Sequence, residues 1–174
     1  PQTAGNLRAP NSDTLYFQGW YDITQQPLII HTPDTEGRYF TIAITNLYAE
    51  VVHIGRRTTG TEERLFALVT PNWAGTLPDN ITPIVTETPK GWLLGRMLVT
   101  GSEDFVQANQ LVEQIWLQPL GEFNGQPSNK KTEKINAQKY DFKGSLGFFA
   151  ELNRTLKTLP LRPGEAALLA QFDE

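Results

Sequence analysis

Apolar and polar residues alternate one by one in several short stretches of the first hundred residues. The clearest is residues 38–45, where Phe40, Ile42 and Ile44 are separated by smaller or more polar side chains. Successive side chains of a strand point to opposite faces, so this spacing places the apolar set on one face. The pattern predicts a strand that faces a core.

Five further runs have the same character and are separated by turn residues such as Gly, Pro, Asn and Asp. They are residues 15–23, 27–31, 49–54, 65–70 and 84–88. Six short strands at this spacing favour a β-sandwich, because a single twisted sheet would leave one apolar face uncovered. The predicted fold class is therefore mainly β, with helices added in the C-terminal third.

The spacing of the apolar residues changes after Thr100. Ser102 can cap a helix, and Glu103 and Asp104 suit its positive N-terminal end. The apolar residues that then recur at helical spacing are Phe105, Ala108, Val112, Ile115 and Trp116. We predict one helix here, which ends before Pro119.

The remaining residues divide into a polar stretch and a short helical stretch. Residues 121–143 contain few large apolar side chains, whereas residues 145–159 return to helical spacing and a last helix begins near Pro163. We expect a β-sandwich domain at 1–120, a solvated connecting loop at 121–143, and a small helical segment at 144–174. Because no cap follows the last helix before Glu174, we expect the chain to be a fragment that leads into a further domain.

Composition narrows the function classes. The chain has 174 residues, no Cys and two His, which excludes disulfide frameworks, thiol nucleophiles and zinc sites built from Cys and His. We expect no metal. Since neither a phosphate loop nor a dinucleotide fingerprint is present, we expect no cofactor either.

Charge and hydropathy exclude two kinds of partner. A net charge of −4 and an isoelectric point near 5.2 argue against nucleic acid. No run of 18 uncharged apolar residues occurs, and we expect no signal peptide because no basic start is followed by an apolar run. We therefore expect no membrane span.

A polar cluster precedes the first predicted strand and includes Asn11, Asp13 and Thr14. Side chains of these types commonly bind nearby backbone N–H groups and fix a turn. The alternative is a site carboxylate at Asp13.

Residues 56–60 form the most unusual stretch, since Arg56 and Arg57 are followed by Thr58, Thr59 and a glycine. Two guanidinium groups beside hydroxyls suit a carboxylate, a phosphate or a sugar. In the alternative interpretation, one of these arginines pairs with a carboxylate of the domain, Asp13 being the first choice, and the threonines satisfy a turn.

Trp73 lies between turn residues and is predicted to be in a loop. It would either stack on a sugar or a partner, or pack over one end of the sandwich, and burial is the commoner fate of aromatic residues. His31 and His53 lie in strand-like runs and are interpreted as structural residues.

Four motifs agree in order and spacing with one known family. They are NLRAPNSDTLY at 6–16, PDT with GRY at 33–39, GRRTTG at 55–60 and WLLGR at 92–96. Together they resemble the domain-of-unknown-function family 1254. One departure is Asn46, which stands where members often have Asp.

The resemblance implies an immunoglobulin-like β-sandwich with helical additions, followed in the same polypeptide by a C-terminal jelly-roll domain. It also implies a bacterial, exported protein, located in the periplasm or secreted. It carries over no catalytic residues.

Two functions remain open. The first is an exported binding or assembly module that packs against the jelly roll and presents a polar site near Asp13, Arg38 and Arg57. Its ligand would be a small molecule or a glycan. The residues do not decide between a monomer and a homo-oligomer. The alternative is a hydrolase of glycans or other envelope material, which would act through carboxylates such as Asp13, Asp34 and Glu36.

Overall fold

The computed structural model describes residues 11–127, 146–157, 159, 161–162 and 164–172. The chain divides into two compact units, Pro1–Ser128 and Asn129–Glu174. The predicted boundaries at residues 120 and 143 stay a prediction. None of the described helices is long and apolar enough to cross a membrane.

The first unit contains eight described strands and two described α-helices. The strands are β1 (Thr14–Asp22), β2 (Leu28–Thr32), β3 (Phe40–Asn46), β4 (Val51–Gly55), β5 (Arg64–Val69), β6 (Ile81–Val85), β7 (Lys90–Leu98) and β8 (Trp116–Pro119). The helices are α1 (Phe105–Glu113), preceded by a 3-10 turn at Ser102–Asp104, and α2 (Leu120–Phe123).

These strands form two four-stranded sheets. The first sheet has the order β1-β7-β3-β4 and is antiparallel throughout, whereas the second has the order β6-β5-β2-β8 and contains one parallel pair, β5 with β6. The predicted mainly-β sandwich with helices in the C-terminal part is confirmed. All six predicted strands occur, and the run at 84–88 lies three residues late relative to β6.

The core lies between the sheets. Phe40, Ile42 and Ile44 of β3 are at most 2% exposed, as their alternation predicted. They pack with inward side chains of the second sheet, among them Ile30 and Phe66. Burial of this kind stabilises each large side chain by roughly 1.5 to 3 kcal/mol relative to exposure.

Strand β7 was not among the predicted strands, although it lies inside the first sheet between β1 and β3. It contains Gly91 and Gly95, which are uncommon inside a strand. The structure shows their use: a Cβ at Gly95 would overlap the ring of Phe17, and one at Gly91 would overlap Tyr21. The glycines make room for two inward aromatic rings of β1.

The predicted helix after residue 102 is correct for α1 but wrong for Ile115, which lies beyond the end of α1, and for Trp116, which lies in β8. The backbone of Trp116 pairs with β2 opposite His31, and the two rings stack with centroids 4.9 Å apart. Pairing with the open edge of β2 outweighs the helical spacing, because tertiary contacts decide the state of short segments.

The second sheet is also covered on its outer face. Its outward residues Ile29 and Ala67 are fully buried, and Trp73, Leu77 and Phe123 pack against this cluster. Trp73 therefore lies in a loop and packs on the sandwich, as the commoner of its two interpretations predicted.

The second unit contains α3 (Gly147–Leu156) and α4 (Glu165–Leu169), followed by a 3-10 turn at Ala170–Phe172. They correspond to the two helices predicted after residue 144. Within α3, Arg154 and Glu151 form an ion pair one turn apart. Most of the predicted connecting loop, as well as Glu174, lies outside the described residues.

Candidate functional site

The outer face of the first sheet carries the candidate site. Alternate residues of each strand point away from the core, and the register places them in rows across the four strands. The three rows are Tyr16, Arg96, Thr41 and Gly55; then Gln18, Leu94, Ala43 and His53; then Trp20, Trp92, Thr45 and Val51.

A cleft of about 410 Å³ opens on this face, and we call it the arginine cleft. Its polar lining comes from Tyr39, Thr41, His53, Arg57, Thr58 and Arg96. The described lining residues include no Asp or Glu, so two guanidinium groups face the cleft without a neighbouring carboxylate. The cleft is therefore a positively charged recess on a chain of net charge −4.

Each guanidinium of the cleft lies over a tyrosine ring. The Cζ atom of Arg57 is 5.4 Å from the ring centroid of Tyr39, and that of Arg96 is 4.9 Å from the centroid of Tyr16. Stacking of this kind orients a planar guanidinium while its N–H groups point outward from the edge. The arginines are thus positioned to donate hydrogen bonds to a planar anion.

A tight loop after β4 presents Arg57 and Thr58. The carbonyl oxygen of Gly55 accepts hydrogen bonds from the N–H groups of Thr58, Thr59 and Gly60, and the Thr59 hydroxyl accepts one from the Gly55 N–H. The φ of Gly55 is 141°, and a Cβ there would overlap the carbonyl oxygen of Phe40. The turn role predicted for the threonines is confirmed.

The carboxylate pair predicted for Arg56 or Arg57 is wrong. Within residues 11–127 and the described parts of the second unit, neither arginine has an acidic partner, and both side chains are exposed. Asp13, the expected partner, is exposed as well. A buried pair at Arg57 would have required an acidic neighbour, whereas the residues that line the cleft with it include Tyr39, Thr41 and His53.

Arg38 is the arginine that makes the two-pronged contact. Its Nη1 and Nη2 donate to Asp104 at 2.5 and 2.6 Å, and Nη1 also donates to the carbonyl oxygen of Leu98 at 2.9 Å. Asp104 further accepts the N–H of Thr100 at 2.8 Å. Because its hydrogen bonds are used inside the fold, Arg38 is a structural residue rather than a part of the cleft.

The same contacts set the charge state of the pair. The hydrogen bonds from Arg38, with those from the backbone and side chain of Thr100, hold the pKa of Asp104 well below its usual range. The hydrogen bonds to Asp104 raise the pKa of Arg38. Both shifts favour the charged forms of the two groups.

The polar cluster before β1 is a turn. The side-chain oxygen of Asn11 accepts hydrogen bonds from the N–H of Thr14 at 3.2 Å and from its hydroxyl at 2.6 Å. Asp13 lies between them with an exposed side chain and is not among the described residues that line the arginine cleft.

The other two acids proposed for catalysis lie together in a turn. Asp34 accepts the backbone N–H of Glu36 at 2.8 Å, and both side chains are exposed beside a second cleft of about 350 Å³. That cleft also contains Arg38, which is already bound to Asp104. In the part of the chain that the structure describes, no three His, Asp or Glu side chains are grouped so as to hold a metal ion.

The row next to that of Gln18 contains an aromatic pair, exposed Trp20 and half-buried Trp92, which we call the tryptophan shelf. Trp20 is 69% exposed, and its ring centroid lies 6.2 Å from that of Trp92 at an angle of 32°. A tryptophan so exposed on a sheet face is unusual, because large aromatic side chains are mostly buried.

Sequence reasoning placed Arg57 and Thr58 at a site but missed their neighbours. Arg96 and His53 come from β7 and β4, and the His53 ring lies 3.3 Å from the Thr41 hydroxyl. Trp20 was assigned to a strand without a role. The alternation of exposed and less exposed residues along β1 could have indicated this role, since it places Trp20 on the outward side together with Tyr16.

Comparison with known proteins supplies the family. The model of the family described as "Protein of unknown function (DUF1254)" matches residues 2–119. A search among curated proteins gives no match. Among solved structures, the VPA0106 protein from Vibrio parahaemolyticus is similar, with a TM-score of 0.65 and 27% identity.

That similarity covers 70% of this chain and 31% of the Vibrio chain, so the present chain spans less than a third of its length. The family match extends over more than half of the chain and includes the turn before β1 and all strands of both sheets. This chain therefore belongs to the family of proteins of unknown function DUF1254.

Proposed function

We propose that this chain is a binding module of an exported bacterial protein and that its ligand binds on the outer face of the first sheet. The observation that carries the proposal is the arginine cleft, where Arg57 and Arg96 are oriented by tyrosine rings and have no acidic partner among the described residues. Such groups bind ligands well because little side-chain freedom is lost when the ligand arrives.

The lining chemistry supports binding rather than hydrolysis. Glycoside hydrolysis uses two carboxyl groups about 5 to 10 Å apart on either side of the bond that is cleaved. The described lining of the arginine cleft offers guanidinium, imidazole and hydroxyl groups instead. Asp13 does not line the arginine cleft, and Asp34 and Glu36 adjoin one another in a single turn beside the second cleft.

The assembly part of the proposal concerns the partner domain. The similar Vibrio chain is more than three times as long as the segment matched here, and described apolar side chains of α3, among them Phe149 and Leu152, are exposed. Both observations support a further domain of the same polypeptide as a partner. We further propose that this domain is a jelly roll and that the β-sandwich of the present chain has immunoglobulin-like topology. The protein would be located in the periplasm or secreted.

The test is to map ligand binding on the ¹⁵N-labelled chain. A panel of small anions and glycans is titrated, and backbone amide shifts are followed by NMR. We expect shifts on the outer face of the first sheet, in β1, β3, β4 and β7, without turnover of any glycan or ester substrate. Turnover that Asp13→Asn abolishes without loss of folding would overturn the proposal, as would shifts that avoid this face.

A further inference from the structure

The arginine cleft and the tryptophan shelf lie on the same face of the first sheet and share strand β7. In β7, Trp92 and Arg96 are four residues apart, and in β1 the paired residues Trp20 and Tyr16 have the same separation. At about 3.3 Å per residue, the two features are about 13 Å apart along the strands. A ligand that touches both must be extended and must offer different chemistry at its two ends.

The chemistry of each feature restricts that ligand. Two guanidinium groups without a neighbouring acid suit a carboxylate, which they can bind through paired hydrogen bonds. The exposed indole of Trp20 offers a flat apolar surface, against which the C–H face of a sugar ring can pack. A chain of sugars that carry carboxylates meets both requirements.

We propose that the first sheet binds an acidic glycan, with a uronic acid carboxylate between Arg57 and Arg96 and another ring of the same chain on Trp20. This inference rests on the proposed function and names its substrate class. The Thr41 and Thr58 hydroxyls and the His53 ring lie in the same cleft and are available for the ring hydroxyls of the bound sugar.

An acidic peptide would match the positive charge of the arginine cleft but not the position of the cleft in the sheet. Extended peptides commonly bind by adding a strand to the edge of a sheet, where backbone groups are unpaired. Arg96 lies on β7 and Thr41 on β3, and both strands are paired on each side inside the sheet. The edge strand β4 also contributes His53 and Gly55 to the cleft, but the outward side chains of the two inner strands would meet the ligand there.

The experiment measures the affinity of the 174-residue chain for three probes by isothermal titration calorimetry. The probes are alginate hexasaccharide as the uronic acid chain, cellohexaose as a neutral chain, and hexaglutamate as an acidic peptide. We expect alginate hexasaccharide to bind at least tenfold more tightly than either of the other two, and to weaken as NaCl rises from 50 to 500 mM.

Each feature has a test variant and a matched control. Arg57→Gln and Arg96→Gln should each weaken alginate binding by about 10- to 100-fold, because each removes charge-assisted hydrogen bonds. Arg56→Gln removes another exposed arginine, which does not line the cleft, and should change the affinity less than twofold. Trp20→Ala should weaken binding, whereas Phe105→Ala, at a residue 50% exposed on α1, should not.

The outcomes separate this inference from the proposed function. Equal binding of cellohexaose and alginate, with Trp20→Ala weaker and both arginine variants unchanged, would overturn the acidic ligand but leave a binding face. Tighter binding of hexaglutamate that ignores Trp20→Ala would replace the glycan by a peptide. If none of the three probes binds, and the wider panel shows no amide shifts on this face, both proposals fail.

Discussion

The guanidinium of Arg38 binds the carboxylate of Asp104 through two parallel hydrogen bonds, and the two side chains are only 14% and 13% exposed. Arg38 lies just before β3, and Asp104 ends the 3-10 turn that leads into α1. The pair therefore connects the start of a core strand to the start of the helix. Ala108, one turn further along α1, is fully buried against the core.

Arg38→Lys should lower the melting temperature by roughly 3 to 8 °C, because lysine keeps the charge but cannot make two parallel hydrogen bonds to Asp104. Arg57→Lys, at an exposed arginine, is the matched control and should shift the melting temperature by less than about 1 °C. Thermal unfolding followed by circular dichroism measures both. An equal effect of the two substitutions would contradict the structural role of Arg38.

Acid should remove the contribution of Asp104 to stability. Its pKa is lowered in the folded chain by the hydrogen bonds from Arg38 and Thr100, so the unfolded chain takes up the proton first as the pH falls. The contribution is complete well above about pH 4, the ordinary range of an aspartic acid, and decreases below it. The difference in urea midpoint between wild type and Asp104→Asn should accordingly be constant from pH 6 to 8 and shrink from pH 4 to 2. A difference that stays constant down to pH 2 would contradict the pair.

Tyr21→Phe should destabilise the fold by about 1 kcal/mol. The Tyr21 ring is buried, its hydroxyl lies 3.1 Å from that of Thr86, and it donates to the carbonyl oxygen of Thr45 at 3.4 Å. Burial raises the pKa of Tyr21, so the hydroxyl is a neutral donor at ordinary pH. Tyr16→Phe, at a ring 48% exposed, should change the urea midpoint little, and a comparable loss there would count against a specific role of the buried hydroxyl.

Gly95→Ala should cost about 1 to 3 kcal/mol, because the added methyl group overlaps the Phe17 ring. Gly19→Ala is the matched control in the neighbouring strand, since its Cβ would meet only Leu117 at 3.9 Å. Denaturant unfolding compares the two. Combining Gly95→Ala with Phe17→Leu should cost less than the sum of the single changes, and strict additivity would show that the ring is not the obstacle.

The sequence was most informative where one local signal decided the structure. The alternation in β3 predicted its buried face, and the spacing after Phe105 predicted α1. It failed for β7, whose glycines weaken the strand pattern and make sense only beside the Phe17 and Tyr21 rings. It failed again at Trp116, where pairing with β2 replaced a continuing helix.

The candidate site was predictable only in part, for the same reason. Arg57 and Thr58 were singled out because they are adjacent in one unusual motif. Arg96 is 39 positions beyond Arg57 and joins it only because β7 and β4 flank β3. Likewise, the arginine that pairs with an acid is Arg38 and not Arg57, because the partner is Asp104. The sequence pattern had assigned Asp104 to a helix terminus.

The strand order of the first sheet has a consequence for the order of events during synthesis. All nine residues of β1 pair with β7, across separations from 68 residues (Asp22 and Lys90) to 84 residues (Thr14 and Leu98). Contacts this distant in sequence form slowly, and β1 leaves the ribosome long before its partner exists. Since β7 also joins β1 to β3, the first sheet is incomplete until β7 has been made, and neither the cleft nor the shelf can form before then.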